Sequence, residues 1–228
     1  ILYDRDYVVY KLLISPKYAR IGLEDMRGEG QVIKLMNGVE WNFAKNPHAL
    51  VVGGTGSGKT FTLQTIIYEL KKRGAEVWVL DPKNVDLSYL AYAPTFKKKV
   101  FSQKEGMKNA ILRFQRLMDK RKDEFNKLAN GRTGLNYFDV GLKPLFLVAD
   151  EYSSFINMFN YRETDEIQLA MQDILQKGRQ VGCFVIVGMQ RPDSEYLPRG
   201  SRDQFGLRID LRKMSSQGYS MMFADTTK

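Results

Sequence analysis

Short continuous apolar runs recur along the chain and predict a set of buried β-strands. Runs that do not alternate with polar residues are typical of strands covered on both faces, as in a parallel sheet. The predicted strands are residues 48–52, 76–80, 145–149 and 183–187, with a last strand at 205–211.

Between these strands, apolar residues recur at spacings of three, four and seven, which predicts amphipathic helices. The longest helix covers residues 104–130 and ends at the turn signal Asn130-Gly131. Its apolar stripe comprises Met107, Ala110, Ile111, Phe114, Leu117, Met118, Phe125 and Leu128. Further helices are predicted at 60–72 and 163–177. The alternation of strand and helix indicates an α/β fold with a mostly parallel central sheet flanked by helices.

The first 43 residues have a different hydrophobic pattern, in which Pro and Gly interrupt short apolar runs. Segments 32–36 and 39–43 flank Asn37-Gly38, which is a strong signal for a β-hairpin. We therefore expect a small β-rich appendage at residues 1–43 and the α/β domain at residues 44–228.

The charge composition favours a polyanion as the binding partner. The chain has 228 residues and a formal net charge of +9, which favours polyanions over cationic surfaces. Most of the excess lies in residues 97–132, which contain twelve Lys and Arg against four acidic residues. A weaker cluster comprises Arg199, Arg202, Arg208, Arg212 and Lys213. The long basic segment is either a solvated helix face or a track for nucleic acid.

The cysteine content and the hydropathy restrict the cellular compartment that we expect for the chain. The single cysteine, Cys183, lies in an apolar run, so no disulfide can form within the chain and we expect a buried thiol in a reducing compartment. No apolar stretch approaches the roughly 20 residues that span a bilayer. Without such a stretch, we expect the chain itself to be soluble and cytoplasmic, and because it begins at Ile1 we expect it to be a piece of a longer protein.

The strongest chemical signal follows the first buried strand. Residues 53–60 fit the P-loop pattern of Gly, four residues and Gly-Lys-Thr, between a predicted strand and a predicted helix. Glycines there let backbone N–H groups converge on phosphate oxygens at a helix N-terminus. We expect Lys59 to reach the β and γ phosphates of ATP and the Thr60 hydroxyl to bind Mg²⁺. The predicted nucleotide-binding residues are Gly53, Gly54, Thr55, Gly56, Ser57, Gly58, Lys59 and Thr60.

Acidic and polar residues follow two other predicted strands. Asp150 and Glu151 follow residues 145–149, where side chains emerge at the carboxyl edge of a parallel sheet. We predict that Asp150 helps to hold the metal and that Glu151 orients or deprotonates the attacking water. Gln190, beyond the strand at 183–187, is predicted to sense the γ-phosphate or the water. This set predicts ATP hydrolysis.

Other P-loop classes fit less well. The chain has no Asn-Lys-x-Asp segment to read guanine and no Leu-Ser-Gly-Gly signature of transporter ATPases. Small-molecule kinases rarely carry a tandem Asp-Glu on this strand.

Four blocks of the sequence resemble the motor domain of the FtsK/SpoIIIE family of DNA translocases. The similarity extends over about residues 30–223. Asn-Pro-His-Ala-Leu runs into the P-loop at 46–50, and Asp-Pro-Lys opens the block at 81–88. Segments 176–182 and 188–192 resemble the family's Ala-Arg-x-x-Gly and Thr-Gln-Arg-Pro motifs.

The resemblance implies a RecA-like P-loop fold, a ring of six subunits with ATP at each interface, and duplex DNA moving through the pore. It also implies an arginine that acts on the neighbouring subunit, for which Arg179 and Arg121 are the matching candidates. The whole protein would be anchored at the cytoplasmic face of the cell membrane by segments outside this chain.

Two departures refine the expectation. Gly188-Met189 stands where the family usually has Ala-Thr, and no winged-helix domain is present in the sequence. These favour a conjugative coupling protein of a Gram-positive mobile element, with relaxase or secretion-channel proteins as partners, over a chromosome-segregation pump. Two alternatives stay open: a type VII-like protein-secretion ATPase, and a module that binds nucleotide without turnover.

Overall fold

The fold begins with two β-hairpins that lie outside the central sheet. The computed structural model describes residues 2–4, 7–9, 21–22, 30–193, 195–198, 200–211 and 215–223. The hairpin strands are β1 (Leu2–Asp4), β2 (Tyr7–Val9), β3 (Val32–Met36) and β4 (Val39–Asn42). Strand β1 pairs antiparallel with β2, and β3 with β4. Gly38 between β3 and β4 has a φ of 75°, which glycine adopts without strain. The hairpin predicted at this turn is confirmed.

Six strands form the central sheet, and every neighbouring pair in it is parallel. They are β5 (Ala49–Val52), β6 (Glu76–Leu80), β7 (Val100–Phe101), β8 (Leu145–Ala149), β9 (Cys183–Met189) and β10 (Leu207–Asp210). Their spatial order is β10-β5-β9-β8-β6-β7. All residues of β5, β8 and β9 are buried, as expected for strands covered on both faces. The predicted α/β fold with a parallel sheet is confirmed.

Helices cover both faces of this sheet. They are α1 (Lys59–Lys72), α2 (Lys104–Ala129), α3 (Tyr152–Ile156), α4 (Tyr161–Lys177) and α5 (Ser216–Phe223). Helices α2, α3 and α4 contribute to one apolar cluster, while α1 and the β3-β4 hairpin contribute to the other. Asn160 begins α4 through a reciprocal capping box with Glu163, so the helix starts slightly before the predicted residue 163.

The apolar stripe of α2 matches the prediction with one exception. Its buried side chains include Met107, Phe114 and Phe125. Leu128, however, is 44% exposed, whereas the following Ala129 is buried. The prediction for Leu128, in the last turn of α2, was therefore wrong.

The β3-β4 hairpin shares its core with the central sheet. The ring of Phe43, just after β4, lies 5.4 Å from that of Phe146 in β8 and 5.6 Å from that of Phe184 in β9, both in edge geometry. Arg73, after α1, donates two hydrogen bonds to the carbonyl of Val32. These contacts join residues on both sides of the division expected at residues 43 and 44, which itself stays a prediction.

His48 is buried just before β5, and its ring forms hydrogen bonds with β9 and α4. Its Nδ1 accepts a hydrogen bond of 3.0 Å from the backbone N–H of Val185 in β9, so the other ring nitrogen carries the proton. That Nε2–H donates to the carbonyl of Leu175 in α4 at 3.0 Å. Burial lowers the pKa of His48 from 6.5 to about 4, although the bond to Leu175 opposes the shift. His48 is therefore neutral in the folded protein at physiological pH.

Two further expectations concern the interior and the membrane. Cys183 is fully buried, as predicted, and burial raises the pKa of its thiol to about 12. Among the described residues, no helix combines the length and the hydropathy needed to cross a bilayer.

Candidate nucleotide-binding site

The P-loop leaves the carboxyl end of β5 and enters α1. The backbone N–H of Gly53 donates to the carbonyl of Met189 at the end of β9, at 3.1 Å, which fixes the start of the loop against the sheet. Gly56 and Gly58 have φ values of 71° and 92°, conformations that side chains with a Cβ rarely adopt. Two of the glycines that the sequence singled out, Gly56 and Gly58, are thus favoured by the backbone path.

The first turn of α1 is suited to an anion. Among the described residues, no side chain caps the helix at Gly58, and the first turn contains no acidic residue. The hydroxyl oxygen of Ser57 is buried and has no hydrogen-bond partner in the described part of the chain. Uncapped N–H groups and the helix dipole favour negative charge at this end. The residues present therefore fit a phosphate chain.

Lys59 connects the P-loop to the end of β8. Its side chain is buried, and its ammonium forms an ion pair with Asp150 Oδ1 and another, at 3.0 Å, with Glu151 Oε1. β8 is separated from β5 by only one strand, β9, so the carboxyl ends of these strands lie together. The structure thus brings together Lys59, Asp150 and Glu151, as the sequence predicted for one site.

The Glu151 carboxylate is held from several sides. Gln190 donates to Oε2 at 3.2 Å, and the ammonium of Lys83 lies 3.0 Å from Oε1. Burial alone would raise the pKa of Glu151, but the hydrogen bonds and charges of Lys83 and Lys59 outweigh it and place the pKa below its usual value. Glu151 is therefore ionised at neutral pH. Its φ of 47° is a left-handed conformation that is costly for a glutamate.

Lys83 is a site residue that the sequence reasoning did not single out. It lies in the loop after β6, which Asp81 organises by accepting hydrogen bonds on Oδ2. The donors are the backbone N–H groups of Val85, Leu87 and Ser88 and the Ser88 hydroxyl. The Asp-Pro-Lys block was visible in the sequence, but nothing in it indicated that the lysine would reach the end of β8.

Gly188 explains one departure from the expected motif. A Cβ at this position would lie 2.6 Å from Asp150 Oδ1 and 3.0 Å from Leu63 Cδ1. Both distances are shorter than ordinary van der Waals contacts. In this chain the absence of a side chain at position 188 therefore leaves room for the Asp150 carboxylate beside Lys59.

Comparison with known proteins identifies the family. The model of the FtsK/SpoIIIE family matches residues 24–226, which is most of the chain. The chain belongs to the FtsK/SpoIIIE family. An FtsK domain-containing protein of Bacillus subtilis (strain 168), YdcQ, is 42% identical over 225 residues, which cover 99% of this chain and 46% of YdcQ.

More distant FtsK/SpoIIIE relatives share the same region. The DNA translocase SftA of Bacillus subtilis (strain 168) is 26% identical over 198 residues, covering 80% of this chain and 19% of SftA. The chain thus spans less than half the length of these two relatives. Among solved structures, the monomer form of the pCW3 conjugation coupling protein TcpA with ATPγS has a TM-score of 0.75 at 21% identity, covering 92% of this chain and 62% of TcpA. That likeness shows a shared fold.

The FtsK/SpoIIIE resemblance selected two arginines. Both lie at the amino-terminal ends of the sheet strands, whereas the P-loop lies at the carboxyl-terminal ends. Arg121 donates to the carbonyls of Val181 and Lys143, which precede β9 and β8, at 3.1 and 2.7 Å. Arg179 also precedes β9; it is exposed, and its Nε donates to the carbonyl of Ala44 at 3.0 Å. Neither arginine therefore lies with the predicted nucleotide-binding residues of the same chain.

A cleft of about 660 Å³ lies beside Arg179, between the middle of α2 and the end of α4. Its lining includes Asp119, Lys122, Tyr137 and Lys177. This cleft lies at the amino-terminal ends of the strands, away from the P-loop, so it is not part of the predicted nucleotide site.

The basic segment at 97–132 is partly neutralised within the subunit. Lys108 pairs with Glu166 at 2.8 Å, Lys99 pairs with Glu76 at 3.2 Å, and Arg113 lies 5.4 Å from the ring of Trp78. Lys104, Arg121 and Arg132 also bond within the chain. At least six of its twelve cations therefore have intramolecular partners, which favours a structural role for half of the segment.

The second basic cluster is similarly engaged where it is described. Arg202 donates to the carbonyl of Met221 at 2.6 Å, and Arg208 donates to that of Met222 at 3.1 Å. Both contacts attach α5 to the end of the sheet. The other three members, Arg199, Arg212 and Lys213, lie outside the described residues.

The residues around the P-loop are suited to magnesium held together with a nucleotide. In the described part of the chain, no group of three or more His, Cys, Asp or Glu side chains could enclose an ion alone. Magnesium usually keeps several waters and takes one or two protein ligands together with phosphate oxygens. Thr60 and Asp150 would supply such ligands.

Proposed function

We propose that this chain is the ATP-hydrolysing motor domain of a double-stranded DNA translocase. The observation that carries the proposal is the buried contact of Lys59 with Asp150 and Glu151, with Gln190 bound to the same glutamate. A residue that binds phosphate, a carboxylate for metal and a second carboxylate beside it are what ATP hydrolysis requires. The family relationship and the DNA translocase SftA among the relatives favour DNA as the transported polymer.

Each residue has a role in this proposal. Backbone N–H groups of residues 53–60 bind the phosphates of ATP, and Lys59 exchanges its carboxylate partners for phosphate oxygens. Thr60 and Asp150 hold Mg²⁺, which when bound offsets the charge that develops on the phosphate oxygens. Glu151 orients the attacking water and accepts its proton, and Gln190 positions Glu151.

The position of Arg179 is compatible with an arginine that acts on a neighbouring copy of the chain, as in the ring of six subunits that the family resemblance implies. Arg179 lies before β9 and the P-loop lies beyond its far end, and a seven-residue strand is about 20 Å long. An arginine at that distance can assist hydrolysis only at a neighbour's site. Arg121 is the weaker candidate because two backbone carbonyls already bind its guanidinium. Its side chain would have to give up both bonds.

The wider role is that of a coupling protein in conjugative transfer. The fold match to the TcpA conjugation coupling protein favours this role. Relaxase or secretion-channel proteins would then deliver or receive the DNA, and segments outside this chain would attach the motor to the membrane.

The test is the ATPase rate of the purified protein with and without double-stranded DNA across a salt series. We expect DNA to stimulate hydrolysis, and the stimulation to fall steeply with salt because phosphate contacts release counterions. The Lys59→Ala variant should lose nucleotide binding and hydrolysis. Glu151→Gln should lose hydrolysis while still binding ATP.

The outcomes separate the alternatives. Hydrolysis that DNA does not change would favour a polypeptide substrate, as in a secretion ATPase. Binding without phosphate release in the wild type would indicate a nucleotide-binding module. Substantial turnover by Glu151→Gln would show that another group activates the water.

A further inference from the structure

One carboxylate oxygen of Glu151, Oε1, contacts two lysines whose side chains differ in solvent exposure. The Lys59 side chain is 5% exposed and belongs to the P-loop, whereas the Lys83 side chain is 50% exposed and belongs to the loop after β6. Both ammonium groups lie 3.0 Å from Oε1. If Lys59 turns to the phosphates of ATP, Lys83 is the cation that stays on Glu151.

The loop places Lys83 there by specific contacts. Asp81 is buried at the end of β6, and its Oδ2 holds three backbone N–H groups of residues 85–88. Asn84 adopts a φ of 51°, so the chain turns sharply directly after Lys83. The backbone that carries Lys83 is thus fixed, while its half-exposed side chain is free to leave.

A lysine in this position opposes the work of a general base. A water that attacks the γ-phosphate must donate a hydrogen bond to a carboxylate oxygen, and the ammonium of Lys83 competes for that acceptor. Gln190 holds the other oxygen at 3.2 Å through a neutral amide, which orients the group without the same penalty.

We propose that Lys83 is a positioning residue that holds Glu151 in a resting state and limits basal ATP turnover until the ion pair opens. This inference rests on the proposed function, because it concerns the residue assigned as the base. It predicts that removing the ammonium raises the rate of the chemical step and leaves nucleotide binding unchanged. A half-exposed ion pair shifts an equilibrium by up to about fivefold, which sets the upper end of the expected effect.

The experiment measures steady-state ATP hydrolysis in the absence of DNA for the wild type and for Lys83→Met, which keeps the length of the side chain and removes its charge. We expect kcat to rise by up to about fivefold with KM unchanged. Lys83→Arg keeps a cation in place and should return kcat to the wild-type value. Lys45→Met removes an exposed lysine ahead of β5 and should leave kcat unaltered.

Two further measurements exclude indirect effects. The affinity for a fluorescent ATP analogue should be equal in the wild type and Lys83→Met. The melting temperature should also be equal, because a half-exposed lysine contributes little to stability.

Each other result overturns the assignment. A raised KM with unchanged kcat would make Lys83 a nucleotide ligand. A kcat equal to or below that of the wild type would make it neutral or activating. A wild type that neither binds nor hydrolyses ATP would instead remove the proposed function itself, so the two failures are distinguishable.

Discussion

Replacing His48 should remove a defined part of the pH dependence of stability. His48 is the only histidine of the chain, and its neutral ring accepts a hydrogen bond from Val185 and donates one to Leu175. Protonation in the folded state would break the first bond and bury a charge. The folded protein therefore resists protonation that the unfolded chain accepts.

The magnitude follows from the two pKa values. In the folded state the pKa is lowered from 6.5 to about 4. Below pH 6.5 the unfolded chain binds more protons, so stability falls as the pH falls through this window and is fully retained above it. The loss is about 2 kcal/mol between pH 7 and pH 5 and about 3 kcal/mol at pH 4.

The assay is urea unfolding at pH 7, 6 and 5 for the wild type and His48→Asn. Asparagine tolerates the φ of 58° at this position and can still accept a hydrogen bond through its side-chain oxygen. The variant should be less stable at pH 7, because the donor to Leu175 is lost, and should lose much less stability between pH 7 and pH 5. Equal losses in the two proteins would refute the reasoning, because the pH dependence would then come from other groups.

Two further predictions use residues away from the P-loop. Arg121→Ala should lower the free energy of unfolding by about 1 kcal/mol, because the carbonyls of Val181 and Lys143 lose a charged donor. Arg179→Ala should leave stability unchanged in a parallel denaturation and lower ATPase activity only in assembled rings. Cys183 should not react with a thiol reagent such as DTNB at pH 8 until urea unfolds the chain, because burial raises the pKa of its thiol to about 12. Rapid reaction of the native protein would contradict the packing around β9.

The order of the major elements could be predicted because each has a strong periodic or apolar signal. The run at 145–149 is the strand β8 to the residue, and the stripe of α2 was recognisable from its spacing. Strand β7 has two residues and α3 has five, so neither contains a full period that a pattern could detect. These short elements depend on contacts with residues that are distant in sequence.

The site could be predicted as far as motifs mark it. The P-loop and Asp150-Glu151 carry their chemistry in adjacent residues, whereas the contact between Lys83 and Glu151 joins loops 68 positions apart. Nor could the sequence distinguish Arg121 from Arg179. They differ in how firmly the guanidinium is held: two carbonyls bind that of Arg121, whereas the exposed Arg179 bonds to the carbonyl of Ala44 alone, and this depends on how the elements pack.

The packing of Phe43 and Trp41 has a practical consequence for anyone who shortens this protein. A truncation that starts at residue 44 would keep every P-loop residue, yet it would expose to water the faces of Phe146 and Phe184 that these rings cover. It would also deprive Arg73 of the Val32 carbonyl. A minimal catalytic fragment must therefore retain residues 32–43.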